Sequence, residues 1–145
     1  MAEKKLQTYA NHVRWDPPFH FFALPVFILL AIAGTVHFIW RPGLHSGIMF
    51  VAAVALAVVV VKSRLSALKV QDRVIRLEER QRLALLMPEP LRSRIPELTE
   101  GQLVALRFAS DGEVAQLAER ALSEKLSPAD IKKAIQTWRP DYWRV

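Results

Sequence analysis

FHFFALPVFILLAIAGTVHFIW, residues 19–40, is a run of 22 residues without a single Lys, Arg, Asp or Glu. As a helix rising about 1.5 Å per residue it reaches about 33 Å, enough to cross a hydrocarbon core of roughly 30 Å. A second uncharged stretch follows at once, PGLHSGIMFVAAVALAVVVV over residues 42–61, whose continuous apolar part starts at Ile48. Pro42 and Gly43 mark a turn, so the second helix is expected from about Leu44 to Val61, a short crossing completed by Lys62 snorkelling to the interface. Two such helices in a chain of 145 residues leave too little other protein to bury both, which argues against a soluble core. Ala31-Ile32-Ala33 resembles a signal-peptide cleavage site, but the apolar run continues to Trp40 and Asp16 lies in the leading region, which favours retention.

The expected organisation is all-α. Residues 1–18 form a cytoplasmic or interfacial segment, 19–40 the first transmembrane helix, 41–47 a short loop and 44–61 the second transmembrane helix. Residues 62–87 continue that helix into the cytoplasm, 88–98 are a proline-rich connector and 99–145 a small three-helix module. The loop offers only Arg41, whereas Lys4, Lys5, Arg14, Lys62, Arg64, Lys69 and Arg73 flank the opposite ends of the spans. The positive-inside bias therefore predicts a multi-pass protein of the cytoplasmic membrane with both termini cytoplasmic. Asp16 before Pro17-Pro18 suits an N-cap, and Pro25 is expected to kink the first span. Ala53 and Ala57 give the second span a small face for close helix packing.

No Pro or Gly interrupts Ile48 to Met87, and Pro88 ends the expected long helix. Steps of three and four place Ala67, Val70, Val74, Leu77 and Gln81 on a seam for either a second copy or the chain's own C-terminal helices. Lys62, Lys69, Arg73, Arg76 and Arg80 share a sector about 60° wide, a stripe suited to anionic lipid, to a partner or simply to solvent. The connector Met87 to Leu98, with Pro88, Pro90 and Pro96, is expected to be irregular. Beyond it, Thr99 with Gln102 and Ser110 with Glu113 fit capping boxes, and Ser127-Pro128 fits an N-cap with proline at the first helical position. These predict helices near Glu100 to Ala109, Asp111 to Leu126 and Pro128 to Trp138, with Leu103, Leu106, Val114, Leu117, Leu122, Ile131, Ile135 and Trp138 in a thin core. A unit this small is expected to need a further packing partner.

The formal net charge is +6, but it is concentrated next to the spans: residues 62–94 hold nine bases and four acids, while residues 99–145 hold seven of each. A neutral module argues against nucleic-acid binding. Without cysteine the chain has no disulfide, thiolate metal site or cysteine nucleophile. His12, His20, His37 and His45 leave open haem or metal binding, with solvated or backbone-bonded rings as the plainer expectation. No phosphate loop, HExxH or nucleophile elbow occurs, so no catalytic residue, cofactor or metal is expected.

The polar run Gln7-Thr8-Tyr9-Ala10-Asn11-His12, with Arg14-Trp15-Asp16 and His20, exceeds what insertion requires, although Tyr9 and Trp15 suit interfacial anchoring and so does Tyr142-Trp143. Asn11, His12, Arg14, Asp16 and His20 are the candidate binding surface. This run, together with Asp16-Pro17-Pro18-Phe19-His20-Phe21, the two spans and Ser127-Pro128-Ala129-Asp130-Ile131-Lys132-Lys133, resembles an uncharacterised bacterial family of small two-pass membrane proteins. The resemblance covers the whole chain and implies a bacterial cytoplasmic membrane; it supplies no catalytic residue. The expected function is a non-catalytic membrane-anchored adaptor or regulator presenting a cytosolic helical module. Its partners would be the bilayer and either further copies of the chain or another membrane or cytosolic protein. The alternatives are an oligomeric transport or pore subunit with the first spans kinked at Pro25, and a haem or metal redox anchor.

Overall fold

A computed structural model describes residues 7–13 and 15–142. The described residues contain helices and no β-strand, in the order π-helical turn Pro18–Ala23, α1 Leu24–Trp40, α2 Leu44–Leu86, 3-10 helix Leu91–Glu97, α3 Glu100–Leu106, α4 Val114–Ser123 and α5 Pro128–Ala134. Two compact units divide the chain. One holds Trp15–Lys69, and the other combines the N-terminal segment with the chain from Val70 onward.

In the first unit, Pro18–Trp40 and α2 are both long and apolar enough to cross a membrane. The two pack closely where side chains are small. A Cβ on Gly34 would lie 3.5 Å from the Ala53 Cβ and 3.5 Å from the Phe50 Cα, and Phe38 stacks on Phe50 at 5.7 Å near Gly47. Ala53 thus does face α1, as its spacing suggests. Gly34→Ala fits at ordinary contact distance, whereas Gly34→Leu forces the helices apart. In detergent micelles the leucine variant is expected to lose about 1–3 kcal/mol in denaturation followed by circular dichroism. The alanine variant is expected to stay close to the parent protein.

The start of this unit differs from the expectation at Asp16, and Pro25 stands beside a π-helical turn that sequence did not show. Asp16 does not cap the helix with its side chain: Pro17 occupies the N-cap, and the Asp16 carboxylate pairs with Arg64 at 3.4 Å. A guanidinium offers that carboxylate two charged donors, a stronger partner than a helix amide. The His20 Nδ1 folds back to within 2.9 Å of the Asp16 carbonyl, and Arg64 lies 5.5 Å above the Phe19 ring. Pro25 lies in the first turn of α1, directly after the π-helical turn, where Leu24 N–H bonds to Phe19 O. Proline has no N–H to continue the preceding register, so the wide turn ends and the α-register begins beside it.

The second unit is built on the far half of α2. Ile75, Glu79, Leu83 and Met87, spaced by four, form its buried row. Leu83 and Met87 join Leu103, Leu106 and Phe108, then Val114 and Leu117 of α4 and Ile131 of α5, in one apolar core. The seam that sequence offered to the C-terminal helices is thereby corrected, because the module packs on a different face. Val70, Val74, Leu77 and Gln81 of that seam are exposed, and Ala67, in the other unit, is half-buried.

Pro88 ends α2 as expected, but the connector is ordered into the 3-10 helix Leu91–Glu97, which buries Ile95. Its prolines remove helical donors without preventing a short i to i+3 turn. Thr99 and Gln102 form the complete expected capping box, and Ser127 caps α5 with Pro128 in the first turn. Gln102 also donates to Ala121 O at 3.1 Å and Leu126 O at 3.0 Å, fastening α3 to the end of α4. All three module helices are shorter than expected. Ala109 and Trp138 form an isolated antiparallel bridge, with Arg139 N–H to Phe108 O at 2.7 Å and Ser110 N–H to Thr137 O at 3.1 Å. These extended residues cannot also continue α3 or α5. Glu113 meets Ser110 N–H at 3.3 Å but also takes Gln136 N–H and Thr137 N–H at 3.1 and 3.0 Å. It is therefore a brace across the bridge, and α4 starts after it at Val114.

Candidate functional site

The N-terminal polar run is folded onto the helical module. Thr8 N–H donates to Asn11 Oδ1 at 2.6 Å and Asn11 N–H to Thr8 O at 3.2 Å, closing a tight turn that presents Tyr9 and His12 on one side. Gln7 pairs with the Asp141 backbone in both directions: its Nε2 donates to the carbonyl at 3.1 Å, and its Oε1 accepts from the amide at 2.9 Å. A primary amide can satisfy a peptide's donor and acceptor together, so one side chain acts as a short strand rung.

His12 is the centre of the contact. Its ring stacks on Tyr9 at 5.7 Å, meets Phe108 edge-on at 5.8 Å and lies 5.8 Å from Trp138. Nδ1 is 2.7 Å from Tyr9 O, where it must donate, and Nε2 is 3.3 Å from the Lys132 ammonium, where it must accept. This geometry fits the neutral imidazole with its proton on Nδ1. Phe108 is fully buried, with the Arg107 guanidinium 4.5 Å and the Lys132 ammonium 5.7 Å from the ring centre and Trp138 at 5.2 Å. Arg107 in turn pairs with Asp141 at 3.2 Å.

A second polar cluster lies where α2 meets the module. Glu79, almost wholly buried, pairs with Arg82 at 3.0 Å and Arg139 at 3.4 Å. Arg82 also donates to Asp111 and to Ala109 O at 2.7 Å. Loss of hydration raises the Glu79 carboxyl above its ordinary value of 4.5, with the two guanidiniums opposing the shift. The folded state then binds this proton more tightly than the unfolded state. On this group alone, stability is complete below the ordinary value and falls as pH rises through the raised one. Glu79→Gln removes the titration. The difference in urea stability between parent and variant is expected to shift with pH in that direction, as pH rises above 4.5.

The candidate surface read from sequence is divided. Asn11 and His12 belong to the N-terminal contact, Asp16 and His20 to the unit holding the apolar helices, and Arg14 lies outside the described residues. Trp143 also lies outside them. Trp15 is exposed beside the His20 and Phe21 rings, while Tyr9 is turned to His12. Of the basic stripe, Arg76 pairs with Glu100 of α3, because the module brings that carboxylate to α2. Lys62 and Lys69 are exposed in one unit, and Arg73 and Arg80 in the other. His37 lies on an open apolar groove of about 560 Å³ on α1, with Leu29, Val36 and Trp40 among its walls. Among the described residues no group of three His, Asp or Glu side chains is placed to hold a metal.

Sequence reading did not single out Glu79 or Phe108, and its i,i+4 spacing pairs Arg82 with Glu78, whereas the structure pairs it with Glu79 and Asp111. A lone carboxylate four residues from both Ile75 and Leu83 is the signal for the first. Phe108 carries none, since it stands at the frayed end of a helical pattern. No curated protein and no solved structure matches the chain. A model described as a family of unknown function (DUF6526) matches residues 1–145, and the chain belongs to that family over its whole length.

Proposed function

We propose that the protein is a non-catalytic adaptor of the bacterial cytoplasmic membrane, anchored by a helical hairpin and carrying its folded module in the cytoplasm. The observation that carries this reading is the docking of Gln7, Tyr9 and His12 on Phe108, Trp138 and Asp141. It supports a layout in which the segment before the first apolar helix and the module after the second share one aqueous compartment. That is the arrangement a two-pass hairpin gives, and the Lys/Arg bias assigns the compartment to the cytoplasm. Support for the anchor comes from the apolar windows of the two helices, which are 0% and 6% buried and would expose a continuous greasy surface to water. Gln7, Asn11 and His12, which sequence marks as distinctive, serve to fix this unit, which suits presentation of a surface better than turnover of a substrate.

Photo-crosslinking from exposed module positions in native membranes, with identification of the products, tests the proposal. A defined protein partner, together with no ion flux when the pure protein is placed in liposomes, is the expected result. Flux through the reconstituted protein would overturn it in favour of the transport or pore reading.

A further inference from the structure

Val70, Val74 and Leu77 of α2 are 62%, 49% and 59% exposed. With Gln81 and Ala84 they form a row whose centre lies about 180° around the helix from the buried row Ile75, Glu79 and Leu83. The module therefore occupies one side of α2 and leaves an apolar row open on the other. We infer that this row pairs with the same row of a second copy as a short parallel two-stranded coiled coil.

The residue types fit that occupant. In the register of the row, Val74 and Gln81 take the a positions and Val70, Leu77 and Ala84 the d positions. A β-branched a residue beside a leucine at d favours two strands, and one polar a residue holds the register. The flanks are complementary to a second copy as well. Arg73 falls at g and Glu78 at e, both exposed, and in a parallel pair each g faces the e position five residues further along the other chain. Arg73 of each copy thus meets the other copy's Glu78, twice by symmetry. Two heptads pair only marginally in free solution. Confinement of both copies to one membrane raises their effective concentration and enforces the parallel direction, so the inference rests on the anchored reading above.

The chain has no cysteine, so single cysteines report the contact directly. Leu77→Cys and Val70→Cys lie on the row, and Asp72→Cys is exposed on the other side. Full-length variants in isolated native membranes, oxidised with copper phenanthroline, are expected to give disulfide dimers at the first two positions and not at the third. Adding Arg73→Glu to Leu77→Cys is expected to lower the dimer yield about fivefold, and adding Glu78→Arg as well to restore it. Equal crosslinking at all three positions, none on the row, a product whose mass is not twice that of the chain, or no restoration by the charge swap would overturn the inference. Alkaline carbonate washing separates the two claims. Release of the protein refutes the anchor and, with it, the confinement on which the contact relies, whereas retention with no disulfide on the row refutes the contact alone.

Discussion

Phe108→Ala is expected to destabilise the helical module by about 3–5 kcal/mol, the scale of deleting a fully buried aromatic ring. Phe108 is wholly inaccessible and is the piece on which three parts of the unit meet: Trp138 from beyond α5, Lys132 from α5 and His12 from the N-terminal segment. Truncation leaves a cavity, and it also removes the surface on which the His12 ring rests. Hydrogen exchange on the full-length protein in detergent checks both consequences. Protection at Leu103, Leu106 and Leu117 should fall together with protection at the Asn11 amide, while α1 keeps its protection. Retained protection at Asn11 after loss of the α3 amides would show that the segment is held by something other than this aromatic cluster.

Leu83→Asp is expected to cost more than Leu77→Asp, although the two positions are only about one and two-thirds turns apart on the same helix. Leu83 is fully buried against the module, so an aspartate there places an unpaired charge in the core, a loss of about 4 kcal/mol or more. Glu79 is already in that row, one turn away, and adds like-charge repulsion. Leu77 is 59% exposed, and its replacement should leave the module's urea midpoint nearly unchanged. Equal losses at the two positions would mean that the module docks on a face other than the one described.

The contrast between these leucines shows where sequence ran out. Residues 67–81 carry a legible three-four pattern, whereas the buried row Ile75, Glu79, Leu83 and Met87 runs in steps of four, and its glutamate disguised it. The Arg82 and Arg139 guanidiniums make that glutamate tolerable there, and Arg139 comes from 60 residues away. The apolar helices, the stop at Pro88, the Thr99 box and the Ser127-Pro128 start were readable because their causes are local. The module's shortened helices were not, because Ala109 is claimed by Trp138 across α4 and α5. The N-terminal run was recognisable as unusual, yet its use was hidden: Gln7 finds its partner 134 positions along the chain.

Sidedness is the most direct test of the whole layout. Ala10 and Gly112 are exposed, one in the docked segment and one in the module, and Gly43 lies between the two apolar helices. Separate Ala10→Cys, Gly112→Cys and Gly43→Cys variants, treated with a membrane-impermeant maleimide, report which side each occupies. Inverted vesicles are expected to label the first two and intact spheroplasts only the third. Labelling of Ala10→Cys and Gly112→Cys from opposite sides would contradict the layout.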